Sequence, residues 1–238
     1  MSKKVNQNLL KINKEAAIER VAESLQQIEK GISEQDVQFL YYGLFEDSIS
    51  IAGYLSFFGE NQEKIFEYLK IAAQSSIILF KYQGKATVSH INLSDFEEDK
   101  IVDYSMTNPY VYIRAIYVAA IVEEIDILKY LLSIQIKILL KGQEPIPSDL
   151  MNFLKYIPSI IQKPSIFISY SKKTFWSLQT KVLKIIIEES EEAFEEAIND
   201  LSLFLSQYYN NEKYLHDPER FYLMPLHGLL NIKKYLKN

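Results

Sequence analysis

Apolar residues recur every three or four positions along most of this chain, the period of helices that bury one face. From Lys14 to Lys30, Ala17, Val21 and Leu25 form a stripe with Ile18 and Ile28 beside it; Asn13 is placed to cap this helix and Gly31 to stop it. A second helix is expected from Ser33, through Val37, Leu40, Tyr41, Leu44 and Phe45, to Phe58 and Gly59, with Gly43 or the Asp47-Ser48 pair as a candidate bend. Asn61 caps a third, Gln62 to about Tyr82. Its apolar face is so broad (Phe66, Leu69, Ala73, Ile77 and Phe80, flanked by Ile65, Ala72 and Leu79) that the helix should be deeply buried. Residues 1–12 read as a flexible end.

The rhythm breaks between Ala86 and Tyr104, where ATVSHINL alternates weakly and SDFEEDKIVD follows. Helices resume at Asn108-Pro109, Asn as cap and Pro at the first helical position, and run to about Val122. Another is expected from Asp126 to near Lys141-Gly142. Ser148 is placed to cap a helix through about Ile161, with Pro158 kinking or ending it. A helix from about Lys172 to Glu188 carries the only Trp, Trp176, which fits a core or inter-helix anchor. Ser190 then caps Glu191 to about Tyr209, whose seam is Phe194, Ile198, Leu201, Leu205 and Tyr208. A last helix spans about Pro225 to Leu236. The expected fold is all-α: a single domain over 13–238 of about eight to ten packed, mostly antiparallel helices, with one long non-helical excursion near 86–104. No repeat of roughly 33 to 45 residues keeps its key positions.

Charge adds a local feature. Glu188, Glu189, Glu191, Glu192, Glu195, Glu196, Asp200 and Glu212 carry eight negative charges with no Lys or Arg between them, while the whole chain is only −5. Asp95, Glu97, Glu98, Asp99 and Asp103 make a second acidic run, offset by Lys100. Part of such a face is explained by solvation and by the helix dipole at Glu191 and Glu192. Like charges one turn apart nevertheless repel by a few tenths of a kcal/mol per pair, roughly. A surface of this kind attracts a basic partner and speeds association.

Chemistry is harder to place. There are no cysteines, which removes disulfides, thiolate nucleophiles and Cys metal sites. His90, His216 and His227 form no metal-ligand spacing, and His227 fits a packed histidine. No glycine-rich phosphate loop and no nucleophile elbow is present. No catalytic residue, metal or cofactor is therefore expected, and the protein is not expected to be an enzyme. Nucleic-acid binding fits an acidic chain with few basic pairs poorly. No apolar run approaches the ~18 residues of a membrane span, and no Lys/Arg-rich amphipathic helix offers a membrane surface. The N-terminus is charged and unlike a secretory signal, so a cytoplasmic location is expected. Seventeen Tyr and thirteen Phe are many for 238 residues; most should serve the core, but excess Tyr can also mark a binding surface.

The order of features from about Glu60 to Tyr235 resembles the immunity protein 49 family of bacterial polymorphic-toxin systems. The residues that carry the resemblance are YLKIAAQSSIILF, the break at Ala86–Asp103, YVYIRAIYVAAIVEEIDILKYLL, and above all EEAFEEAINDLSLFLSQYYNNEK followed by LMPLHGLLNIKKYL. Gln207-Tyr208-Tyr209 stand where that family tends to carry a His-and-aromatic cluster. The resemblance implies a cytosolic antidote that binds the toxic domain of a partner effector and blocks it by occlusion, with no chemistry of its own. A basic nuclease-type toxin would suit the acidic surface, with Glu188, Glu189, Glu191, Glu192, Glu195, Glu196, Asp200, Asp95, Glu97, Glu98 and Asp99 as candidate partner-binding residues. The alternative is a helical-repeat-like scaffold or adaptor for protein–protein interaction.

Overall fold

The computed structural model describes residues 5–33, 36–81, 104–136, 140, 146–162 and 173–237. Every regular element among them is helical: α1 (Gln7–Lys30), α2 (Val37–Phe57), α3 (Gln62–Lys81), α4 (Pro109–Ile121), α5 (Ile125–Leu132), α6 (Ser148–Tyr156), the single turn α7 (Ser159–Gln162), α8 (Phe175–Glu188), α9 (Glu191–Tyr209) and α10 (Met224–Lys237). Short 3-10 turns lie at Tyr104–Thr107, Glu212–Tyr214 and Pro218–Arg220. The all-α expectation holds. The weakly alternating stretch at 86–93 and the acidic run at Asp95–Asp103 lie outside the described residues. No described helix is long and apolar enough to cross a membrane.

The helices occur because the sequence supplies both their stripes and their ends. Asn108 accepts from the N–H groups of Tyr110 and Val111 at 2.9 and 3.1 Å, satisfying two orphan donors of α4, and Pro109 needs no partner there. Thr174 and Ser177 cap α8 reciprocally. At the end of α2, Gly59 takes φ +67 so that its own N–H and that of Glu60 can satisfy the carbonyls of Ser56 and Leu55. Two other helix ends use the same device without glycine: Glu123 after α4 and Glu189 after α8, at φ 57 and 61.

Several boundaries differ from the sequence expectation. The first helix starts at Gln7, so residues 7–12 are not a loose end. Asn6, not Asn13, is the cap, accepting from Leu9 N–H at 3.1 Å, and Leu10 is fully buried. The backbone N–H of Asn6 also donates to His216 Nε2 at 3.1 Å, which ties this end to a distant turn. α2 begins at Val37 and runs unbroken past Gly43 and Asp47-Ser48. α5 stops at Leu132, well before Lys141, because the Ser133 hydroxyl turns back onto the Tyr130 carbonyl at 2.6 Å and competes with the helix. Pro147, rather than Ser148, stands at the cap of α6, and Pro158 separates α6 from α7 as expected. α8 begins at Phe175, three residues after Lys172. Ser190 holds the cap position of α9 through its backbone alone.

α4 is the centre of the molecule. It is apolar nearly all round, and every residue from Pro109 to Ile121 except Tyr110 and Arg114 is buried. α3, α5 and α10 pack around it. α1, α2 and α3 form one layer, and α8, α9 and α10 close the opposite side. One continuous core runs through both. Two buried hydroxyls along α4 find partners: Tyr112 donates to the Leu131 carbonyl at 3.0 Å, and Tyr117 to Gln179 Oε1 at 2.6 Å.

Candidate functional site

The acidic stretch divides between the end of α8, the left-handed turn at Glu189, and α9. The buried line of α9 is Phe194, Ala197, Leu201, Leu205 and Tyr209, with Ile198 and Tyr208 half-buried at its edge. At 100° per residue, Glu192, Glu195, Glu196, Asn199, Leu203, Ser206 and Gln207 fall on the opposite face. Leu203, 61% exposed, sits within that polar line. Sequence periodicity places Leu203 off the seam, but only the packed structure shows that nothing covers it.

The lysines missing between these carboxylates arrive from α10, from α8 and from the residue before its cap. Lys233 and Lys237 of α10 both reach Glu191, Lys233 at 2.6 Å. Lys173 and Lys181 reach Asp200 at 3.3 and 3.5 Å, Lys181 also approaches Glu196 at 3.9 Å, and Lys184 pairs with Glu188 at 3.7 Å. Lys233 additionally lies over the Phe194 ring, 3.5 Å from its centroid. Glu192 and Glu195 are exposed and have no basic partner among the described residues. The acidic face is thus partly a structural network. Its unspent charge is concentrated at Glu192 and Glu195. Asp95, Glu97, Glu98 and Asp99 lie outside the described residues.

Hydrogen bonds from Lys233 and Lys237 lower the Glu191 carboxyl to about 2, from the ordinary 4.5. A depressed carboxylate contributes stability that is present above the unfolded value and is lost as pH falls through the folded one. Glu191→Gln should therefore lower the melting temperature at pH 7, and the gap to the parent should close between about pH 4.5 and about pH 2. Thermal melts at those three pH values check this; a pH-independent gap would assign the loss to something other than the ion pair.

A second feature was not found by sequence reasoning. Five rings follow one another across α4, α8, α9 and the Glu212–Tyr214 turn: Tyr110 to Trp176 at 5.6 Å, Trp176 to Phe175 at 4.8 Å, Phe175 to Tyr208 at 5.2 Å, and Tyr208 to Tyr214 stacked at 4.7 Å. They line a cavity of about 310 Å³ together with Arg114, Gln179, Asp217 and Glu219. Tyr208 and Tyr214 share a short hydroxyl–hydroxyl hydrogen bond. Burial raises the Tyr208 hydroxyl strongly. Burial also pushes Tyr214 up, but hydrogen bonds from Lys213 and Tyr208 outweigh it and leave Tyr214 lowered, which fits Tyr208 as the donor. The one signal in the sequence was the excess of tyrosine, and it named no positions. Trp176 proves to be the expected inter-helix anchor, touching the rings of Tyr110, Phe153 and Phe175.

Arg114 lines the cavity and is held by two carboxylates. Its Nη1 donates to both carboxylate oxygens of Glu46 at 2.7 and 2.9 Å, and its Nη2 contacts Glu219 at 2.8 Å. Burial works against the guanidinium charge, and the two carboxylates more than restore it, so its pKa is raised. Asp217 accepts from the Glu219 N–H at 2.9 Å, and burial holds its carboxyl above the ordinary range.

The histidines are placed apart. His227 stacks on Tyr222 at 4.7 Å, and burial lowers its pKa. His216 accepts from the Asn6 backbone, and His90 lies outside the described residues. Among the described residues no group of three His, Cys, Asp or Glu is arranged to hold a metal ion. Compared with known proteins, the chain matches no family model, no curated protein sequence and no solved structure.

Proposed function

We propose that this protein is an immunity protein of the bacterial cytoplasm that binds the toxic domain of a partner effector on the exposed face of α9 and blocks it by occlusion. The observation that carries this reading is the single line formed by Glu192 and Glu195, which have no basic partner among the described residues, with Glu196 and the exposed Leu203. Carboxylates steer a basic partner toward the surface and set its register. An apolar side chain among them adds desolvated contact once the partner arrives. A stable complex of this kind buries on the order of 1,600 Å², more than one helix face offers, so the partner must extend onto neighbouring surface. A repeat-type scaffold is less well supported. In such arrays each unit packs on its sequence neighbours, whereas α10 returns across the molecule to α4.

The test is co-expression with the toxin domain encoded beside this gene. The parent protein should restore growth. The triple variant Glu192→Lys, Glu195→Lys, Leu203→Asp should lose protection while staying folded with only a small drop in melting temperature, because none of the three residues holds a core contact and the lost dipole interaction of Glu192 is worth about 1 kcal/mol at most. Glu67→Lys, an exposed reversal on α3, serves as control and should protect. Full protection by the triple variant, or the absence of any toxin gene alongside, would remove the proposal.

A further inference from the structure

The ring-walled cavity has a charge balance that selects its guest. Arg114 brings one positive charge, already committed to Glu46 and Glu219. Glu219 and Asp217 bring two negative charges to the lining, and Glu46, the other partner of Arg114, does not line the cavity. Asp217 is half-buried, lines the cavity, and has no cationic partner within ion-pair distance among the described residues. An anion entering here would meet a carboxylate whose nearest guanidinium is occupied. A neutral apolar guest would leave that carboxylate unpaired and more desolvated. A cation would pair with it while resting against ring faces, whose quadrupole is negative. The rings already show this affinity: the exposed Lys213 ammonium, which does not line the cavity, lies 4.5 Å from the Tyr214 centroid and 6.0 Å from that of Tyr208. Neither Lys213 nor Arg220, whose guanidinium bonds the Leu215 carbonyl and Asn210, lines the cavity, so among the lining residues Asp217 remains the carboxylate without an ion-pair partner.

We propose that this cavity binds an organic cation, a quaternary ammonium or guanidinium group on a small apolar body, with Asp217 as its counter-ion and Trp176, Phe175, Tyr208 and Tyr214 as its cage. The volume, about 310 Å³, is at the small end of ligand pockets, which suits a head group or one side chain rather than a large cofactor. Tyr110, one of the lining rings, is 46% exposed, so the cavity wall reaches the surface there. This site is independent of the docking face on α9, and either can fail without the other.

Trp176, the only tryptophan, lines the cavity and reports occupancy directly. Its fluorescence should be titrated with choline, with its neutral isostere 3,3-dimethylbutan-1-ol, with N-acetylarginine amide and with benzoate. Saturable change is expected with choline, with the arginine amide, or with both. A response to choline alone identifies a free small cation as the guest, and one to the arginine amide alone identifies a peptide side chain. Whichever cation binds should do so at least about tenfold more tightly than the neutral isostere. Asp217→Asn keeps an oxygen to accept the Glu219 N–H and so preserves the turn; it should weaken cation binding about tenfold without lowering the melting temperature. Equal binding of cation and isostere, preference for benzoate, no saturation by either cation up to about 10 mM, or an undiminished affinity in Asp217→Asn would each overturn the proposal.

Discussion

Gly228→Ala is expected to destabilise the protein by about 2–3 kcal/mol, although alanine is the better helix former. A Cβ at Gly228 would lie 2.4 to 2.6 Å from Cδ1, Cγ and Cβ of Tyr117. Those atoms are the root of the ring. Tyr117 is 2% exposed, sits on the central helix, and holds Gln179 through its hydroxyl. It cannot swing aside, so α10 must move off α4. Gly43→Ala is the control. Gly43 lies within α2 with nothing within 4 Å of an added Cβ, so the same change should gain about 0.5–1 kcal/mol from helix propensity. Urea unfolding should show opposite shifts of the midpoint with unchanged slope. A neutral Gly228→Ala would mean that α10 does not contact α4 as closely as the structure shows.

Arg114→Met comes next, with an expected loss of about 2–3 kcal/mol. Removing one partner of a fully buried ion pair costs roughly 3–5 kcal/mol because it strands the other charge. Here Arg114, Glu46 and Glu219 keep 22, 28 and 24% of their side-chain surface, so water screens part of the effect and the estimate is set lower. Two carboxylates from α2 and from the Pro218 turn would then face each other across the vacated site. The turn itself presses on α2, where the Pro218 carbonyl oxygen lies 2.1 Å from the position of a Cβ on Gly53, so it has little room to retreat. Adding Glu46→Gln and Glu219→Gln to Arg114→Met should recover most of the loss. Arg114→Lys should recover less, because an ammonium cannot serve both carboxylates in the guanidinium's fork geometry. Failure of the glutamine pair to rescue would show that Arg114 matters as packing over Phe45, whose ring centroid is 5.6 Å away, and not as a charge.

The elements most legible in the sequence are those whose ends are fixed by neighbouring residues. Asn108-Pro109 opens α4 and Gly59 closes α2 through bonds within one turn, so a local reading finds them. The sequence favours Asn13 over Asn6 as the cap because the stretch before Lys14 shows no stripe. Leu10 is buried there by packing, and the end is held by His216, 210 positions away. The acidic stretch looked uncompensated for the same reason: Lys233 and Lys237 reach Glu191 across 42 and 46 positions. The cavity was illegible because its walls come from four separated segments, each of whose aromatics also fits an ordinary core seam. Tyr208 shows the ambiguity most clearly. Its spacing after Leu205 assigns it to the seam, yet it stands at the seam's edge, half-buried, with its ring turned to Phe175 and Tyr214.

The docking role proposed for α9 is tested most directly by the association rate with a toxin domain found encoded beside this gene, measured by stopped-flow at low and at high salt. The expected result is a rate that falls steeply with ionic strength in the parent and drops at least about tenfold at low salt in Glu192→Lys, Glu195→Lys, with the salt dependence flattened or reversed. Equal rates and equal salt dependence in parent and variant would contradict it.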